Sequence, residues 1–192
     1  YKKRMQRKKE LIDSRIEEAN IEKGIIVLLT GNGKAKSSSA IGMICRALGY
    51  NMKVALVRFL KGDQETGEDL FLDNHQNVVS SHMQSGFTWD TQDQELDKQK
   101  AIETWNEAEK FLANSEIDLV VLDEITYMIN YNYLDEKVIL KVLSNRPKDQ
   151  HVVITGRAAS EGIIKVSDTV SEVKDIKHAF RANIRAQKGI DL

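Results

Sequence analysis

Proline and cysteine are almost missing from this chain of 192 residues, which carries one of each, Pro147 and Cys45. A lone cysteine forms no internal disulfide and cannot by itself hold a structural zinc, so a reducing compartment, the cytoplasm, is the expectation. With so little proline and no low-complexity tract, the composition is not that of a linker or a disordered segment, and the chain is expected to fold throughout. Long apolar runs are also lacking. The longest, 25–29, falls far short of the ~20 residues that cross a bilayer, and no apolar secretory segment precedes it, so no membrane partner is expected. Charge of one sign is lacking too: 28 Lys and Arg against 29 Asp and Glu leave a net charge of −1. The global basic excess typical of nucleic-acid binders is therefore absent, and nucleic acid is not an expected partner.

What remains is the composition of a globular chain, 30% charged and 41% hydrophobic, of a length that suits one compact domain at roughly 100–200 residues per domain. Residues 1–23 read as a polar helix with a thin apolar stripe of Leu11, Ile12, Ile16 and Ala19. Its start is basic: Lys2, Lys3, Arg4, Arg7, Lys8 and Lys9 precede the first acid, Glu10. A solvated helix end, a clamp for an anionic ligand and a nucleic-acid contact are all compatible with that run. After it, short apolar runs alternate with longer helical stretches, the pattern of an α/β protein. Strands are expected at 25–29, 54–59, 78–82, 119–122, 152–155 and 169–172, several of them β-branched runs suited to burial on both faces. Helices are expected at 36–48, closed by Gly49, at 92–113 with Leu96, Ile102, Trp105, Ala108 and Leu112 near one face, and at 135–143 before Pro147.

The most informative stretch is Thr30-Gly31-Asn32-Gly33-Lys34-Ala35-Lys36-Ser37-Ser38, a tight polar loop between a strand and a helix. Phosphate oxygens need converging backbone N–H donors and a helix N-terminus, which a loop free of bulky side chains offers. Gly31 and Gly33 supply that freedom, Lys36 a positive charge and Ser37 a hydroxyl for Mg²⁺, as in the strand–GxxxxGK[ST]–helix pattern. Thr30 and Ala35 stand where that pattern has its two glycines. A second element supports the first: the apolar run from Leu119 to Leu122 ends in Asp123 and Glu124. In phosphate-loop folds such a strand lies beside the loop strand, and its acid holds or orients Mg²⁺. Either Asp123 or Glu124 is a candidate for that role. The four histidines, His75, His82, His151 and His178, show no metal-ligand spacing.

Four blocks together resemble the phosphate-loop family of ATP:corrinoid adenosyltransferases, of the cob(I)yrinic acid a,c-diamide type. They are the loop itself, Gly86-Phe87-Thr88-Trp89-Asp90-Thr91, Leu122-Asp123-Glu124-Ile125-Thr126-Tyr127-Met128, and the stretch from Val173 to Phe180 with Lys188-Gly189-Ile190-Asp191. The resemblance runs from about Leu11 to Leu192. The family usually has Gly at the place of Ala35 and a Thr pair at Ser37-Ser38. The resemblance implies a three-layer α/β fold of the phosphate-loop NTPase (RecA-like) class, with a mostly parallel sheet and a basic N-terminal helix. It divides the chain into an arm or lid, 1–23, and an adenosyltransferase domain, 24–192.

It further implies transfer of the 5′-deoxyadenosyl group of ATP to cobalt(I) of a corrinoid, with release of triphosphate, in adenosylcobalamin synthesis or salvage. The metal brings its own electron pair, so no protein nucleophile or base is needed; the protein positions substrates and stabilises leaving charge. By the same resemblance, Gly31, Asn32, Gly33, Lys34, Ala35, Lys36, Ser37 and Ser38 bind ATP. Lys36 stabilises the departing triphosphate, Ser37 holds Mg²⁺ with Glu124 or Asp123, and Phe87 and Trp89 meet the corrinoid. A homodimer and a flavoprotein reductant are the implied partners, with the N-terminal helix closing over the site, often that of the other subunit. Two other readings compete. A small P-loop kinase or RecA-like ATPase needs an acceptor-activating base or a water-positioning residue, and no segment identifies itself as either. A nucleotide-dependent nucleic-acid module leans only on the basic arm.

Overall fold

The computed structural model describes residues 1–60, 65–83 and 93–191; Phe87 and Trp89 lie outside them. In chain order the elements are α1 (Lys2–Glu18), β1 (Ile26–Thr30), α2 (Lys36–Gly49), β2 (Val54–Arg58), α3 (Gly67–Leu72), β3 (Val78–His82), α4 (Gln94–Ala113), β4 (Leu119–Asp123), α5 (Ile125–Asn130), α6 (Glu136–Asn145), β5 (His151–Thr155), α7 (Glu161–Val166) and β6 (Thr169–Glu172), followed by a 3-10 turn at Ala179–Ala182. The strands form one sheet in the order β3-β2-β4-β5-β1-β6, and every pairing is parallel. All the strands expected from the apolar runs are present.

Alternation along each strand divides the core between the two faces of the sheet, since successive side chains point to opposite sides. Ala55 and Val57 of β2, Val120 and Leu122 of β4 and Val152 and Ile154 of β5 pack with Trp105, Ala108 and Leu112 of α4 and Ile139 and Leu143 of α6. Val54 and Leu56, Leu119 and Val121, and Val153 face the other way, onto Ala40, Ile44 and Ala47 of α2. A continuous apolar run is what such two-sided burial requires. At the edge, β6 is exposed throughout.

Three local expectations are corrected. The arm is helical only to Glu18, because the chain beyond it is drawn alongside the approach to β5: Gly24 N donates to Lys148 O and Arg146 reaches Gly24 O. A Cβ on Gly24 would lie 2.2 Å from the carbonyl oxygen of Gln150, so only glycine permits that approach. On α4, Leu96 and Ile102 are exposed, and the packed face runs through Ala101, Thr104, Trp105, Ala108 and Leu112. Finally, β4 does not lie beside β1, since β5 is inserted between them. Two strand spacings of about 4.8 Å therefore separate the acidic strand from the loop strand. No helix among the described residues is long and apolar enough to cross a membrane.

Candidate functional site

At the carboxyl ends of β1, β2, β4 and β5 the chain leaves a cleft of about 390 Å³. Crevices of this kind in open parallel sheets are where ligands bind, because the loops there come from neighbouring strands and the helix that follows presents its N-terminus. The wall includes Asn32, Gly33, Lys34, Ala35, Lys36, Ser37 and Ser38 of the loop, together with Asp123 and Glu124. Gly31 is not part of that wall.

Lys36 opens α2 and is almost completely buried, with Nζ donating to the carbonyl of Gly33 at 2.9 Å. The loop thus wraps around its own ammonium. Burial lowers the pKa of Lys36, with the charge of Glu124 opposing. Ala35 precedes it in the left-handed region, at φ 90° and ψ 3°, a conformation that a Cβ disfavours and glycine accepts freely.

The inserted strand β5 supplies the link between the loop strand and the acidic strand. The hydroxyl of Thr155 donates to Asp123 Oδ1 at 2.6 Å and accepts the backbone N–H of Glu124 at 2.8 Å. Next along, Gly156 N donates to Leu29 O of β1. Burial pushes the carboxyl of Asp123 up, against hydrogen bonds from Thr155 and Ser37 that pull it down. Glu124 adopts the left-handed conformation, at φ 59°. Burial, then the charge of Asp123, pushes its carboxyl up, while Lys36 and Arg157 oppose. Its Oε2 is buried with no hydrogen-bond partner among the described residues. An orphaned carboxylate oxygen costs free energy unless a cation or a donor satisfies it. With the Ser37 hydroxyl on the same wall as both acids, this donor set fits a hard cation such as Mg²⁺, which is held by one or two carboxylates while phosphates and waters complete its shell. Among the described residues no group of three or more His, Cys, Asp or Glu forms a cage.

Sequence reasoning missed several wall residues. Arg58, at the end of β2, is paired with the buried Asp69. That carboxylate also takes the backbone N–H and hydroxyl of Thr66, capping α3. Arg157 follows β5, and its charge acts on both Lys36 and Glu124. Their positions at or just beyond the ends of parallel strands were the available signal, but only strand order shows which strand ends share a cleft. His178, Ile190 and Asp191 complete the wall from the far end of the sequence. His178 Nδ1 accepts Phe180 N, His75 Nδ1 accepts Asn77 N and His151 Nδ1 accepts Ile25 N.

Comparison with known proteins bears on this site. The family model described as ATP:corrinoid adenosyltransferase BtuR/CobO/CobP matches residues 22–192. A corrinoid adenosyltransferase of Pseudomonas aeruginosa is 46% identical over 192 residues, covering 100% of this chain and 95% of the relative. One from Escherichia coli is 46% identical over 191 residues, covering 100% of this chain and 97% of its own. Corrinoid adenosyltransferase CobA of Salmonella typhimurium is 42% identical over the same span, with the same coverage.

Proposed function

Because this chain belongs to the family of ATP:corrinoid adenosyltransferases, we propose that it transfers the 5′-deoxyadenosyl group of ATP to cobalt(I) of a corrinoid, cob(I)alamin or cob(I)yrinic acid a,c-diamide. The electron pair of cobalt(I) attacks the ribose 5′ carbon and the cobalt–carbon bond forms. The bond from that carbon to the phosphate oxygen breaks, and its electron pair leaves with triphosphate. In this reading the protein contributes placement and electrostatic stabilisation, and no side chain need move a proton.

The observation that carries the proposal is the buried Lys36 ammonium, wrapped by the loop and lying in one cleft with the acid pair of β4. The loop from Asn32 to Ser38 binds the triphosphate, and Lys36 stabilises the charge that develops on it as it leaves. Ser37 and Glu124, with Asp123 behind, would hold Mg²⁺, which supplies charge neutralisation on the phosphates. The unpaired Glu124 Oε2 supports that assignment. Phe87 and Trp89, outside the described residues, take the corrinoid side by resemblance to the family. An apolar aromatic wall there would exclude an axial ligand and ease reduction of cobalt(II). The same reading gives the chain a homodimeric state, a flavoprotein reductant, a place in the cytoplasm and a division into arm (1–23) and domain (24–192). The basic arm closes over the site, its charge suited to corrinoid carboxylates or triphosphate.

The test is anaerobic. Protein, Mg²⁺-ATP and chemically reduced cob(I)alamin are mixed, the visible spectrum is followed and the phosphate product identified. Growth of the light-sensitive cobalt–carbon spectrum with triphosphate released is expected, and Lys36→Ala is expected to slow it at least about 100-fold, the scale on which loss of one transition-state donor is felt. Wild-type rate in that variant overturns the role of Lys36. ADP as product with no spectral change would favour a P-loop kinase or ATPase instead.

A further inference from the structure

The segment after β6 is built into the phosphate loop. Val173 N donates to Thr30 O at 2.8 Å, and Gly33 N donates to Val173 O at 2.7 Å. A Cβ on Gly31 would lie 2.5 Å from Val173 O, and one on Gly33 would lie 2.8 Å from the carbonyl of Lys174. Both loop glycines are thus required by this backbone, whatever they also allow a phosphate to do. The same segment then returns to the mouth of the cleft. Gln187 N donates to Asp191 Oδ2 at 2.8 Å, and Asp191 N donates to Gln187 O at 2.8 Å. That closed turn aims the other carboxylate oxygen at Lys34, with which it forms an ion pair.

Asp191 therefore sets a negative charge on a loop ammonium, inside the cleft that holds Lys36 and Ser37. We infer that the Asp191 carboxylate is a placeholder anion on Lys34, displaced by the triphosphate chain of the nucleotide, and that it sets how tightly that chain is held. The inference rests on the proposed reading that the loop binds triphosphate. Two features support displacement over permanent pairing. The Lys34 side chain remains 50% exposed and that of Asp191 20%, so solvent reaches the ammonium and screens the pair. A carboxylate and a phosphate oxygen on one ammonium would also repel each other at contact distance. Re-formation of the pair would help expel triphosphate after transfer.

The experiment is calorimetric titration of the full chain with Mg²⁺ and inorganic triphosphate, in wild type, Asp191→Asn, Asp191→Glu, Lys34→Ala and the Lys34→Ala, Asp191→Asn double variant. Asparagine keeps the acceptor for Gln187 N, and equal thermal midpoints check that the fold is intact. Asp191→Asn is expected to bind triphosphate about three- to tenfold more tightly, an effect that weakens with salt. Asp191→Glu should return towards wild type, and the gain should vanish in the Lys34→Ala background. Unchanged or weaker binding by Asp191→Asn overturns the inference, as does an equal gain without Lys34. If wild type binds and Asp191→Asn shows no gain, only this inference falls; if wild type itself fails to bind triphosphate, the loop reading falls and takes this inference with it.

Discussion

Ala35 holds the left-handed turn that leads the loop into α2, at φ 90°, with a Cβ that a glycine would lack. Residues other than glycine reach this region at a cost of roughly 1–2 kcal/mol, part of which is offset by the greater entropy that glycine loses on folding. Ala35→Gly is expected to stabilise the protein by about 1 kcal/mol, read as a higher urea midpoint with an unchanged slope. Ala35 could be marked from its place in the loop pattern, though its dihedral angles could not. Gly31 and Gly33 teach the converse: they were legible as loop glycines, yet what demands them here is the backbone of Val173 and Lys174. The places of Lys36 and Ser37 on the cleft wall were legible because they depend on neighbours a few residues away.

Strand ends carry the next level of organisation. Thr155, at the end of β5, ties the acids of β4 into place, and nothing in its local sequence distinguishes it from any other strand threonine. Asp168 does comparable work at the edge, where its Oδ2 accepts Ile26 N at 2.9 Å and its Oδ1 pairs with Lys23, holding the start of β6 to β1. The Lys23 ammonium, then the Ile26 N–H, holds the carboxyl of Asp168 below the ordinary carboxylate range. A depressed folded value means that the stabilisation is complete above the unfolded pKa of about 3.9 and is lost as pH falls through the lower folded value. Asp168→Asn is thus expected to be less stable than wild type at pH 7 by no more than about 1 kcal/mol, since solvent screens the pair. Urea unfolding at descending pH should show that difference closing only below the ordinary carboxylate range. The strands were legible because burial on both faces of a parallel sheet demands continuous apolar runs. Their order was not, and neither was β5 between β4 and β1.

Across the whole molecule, α1 stands apart from the core: none of its residues is buried, and Leu11, Ile12 and Ile16 are exposed. A chain lacking residues 1–18 is expected to unfold within about 0.5 kcal/mol of the full chain, as for surface changes that remove no core contact. Under the proposed closure over the site, its adenosylation rate should fall, and paired urea titrations and anaerobic assays measure the two effects separately. The family match begins at residue 22, beyond α1. What the sequence determined by itself is local: an α/β alternation, a glycine-bearing polar loop between a strand and a helix, and an acidic strand end, each written in a few adjacent residues whose spacing follows the backbone period. The tertiary structure alone decided which strand ends face one cleft, how Arg58, Arg157 and Asp191 reach it, and that one carboxylate rests on a loop lysine. Those contacts join residues distant along the chain, and strand order and crossover paths bring them together, geometry that no local pattern of residues encodes.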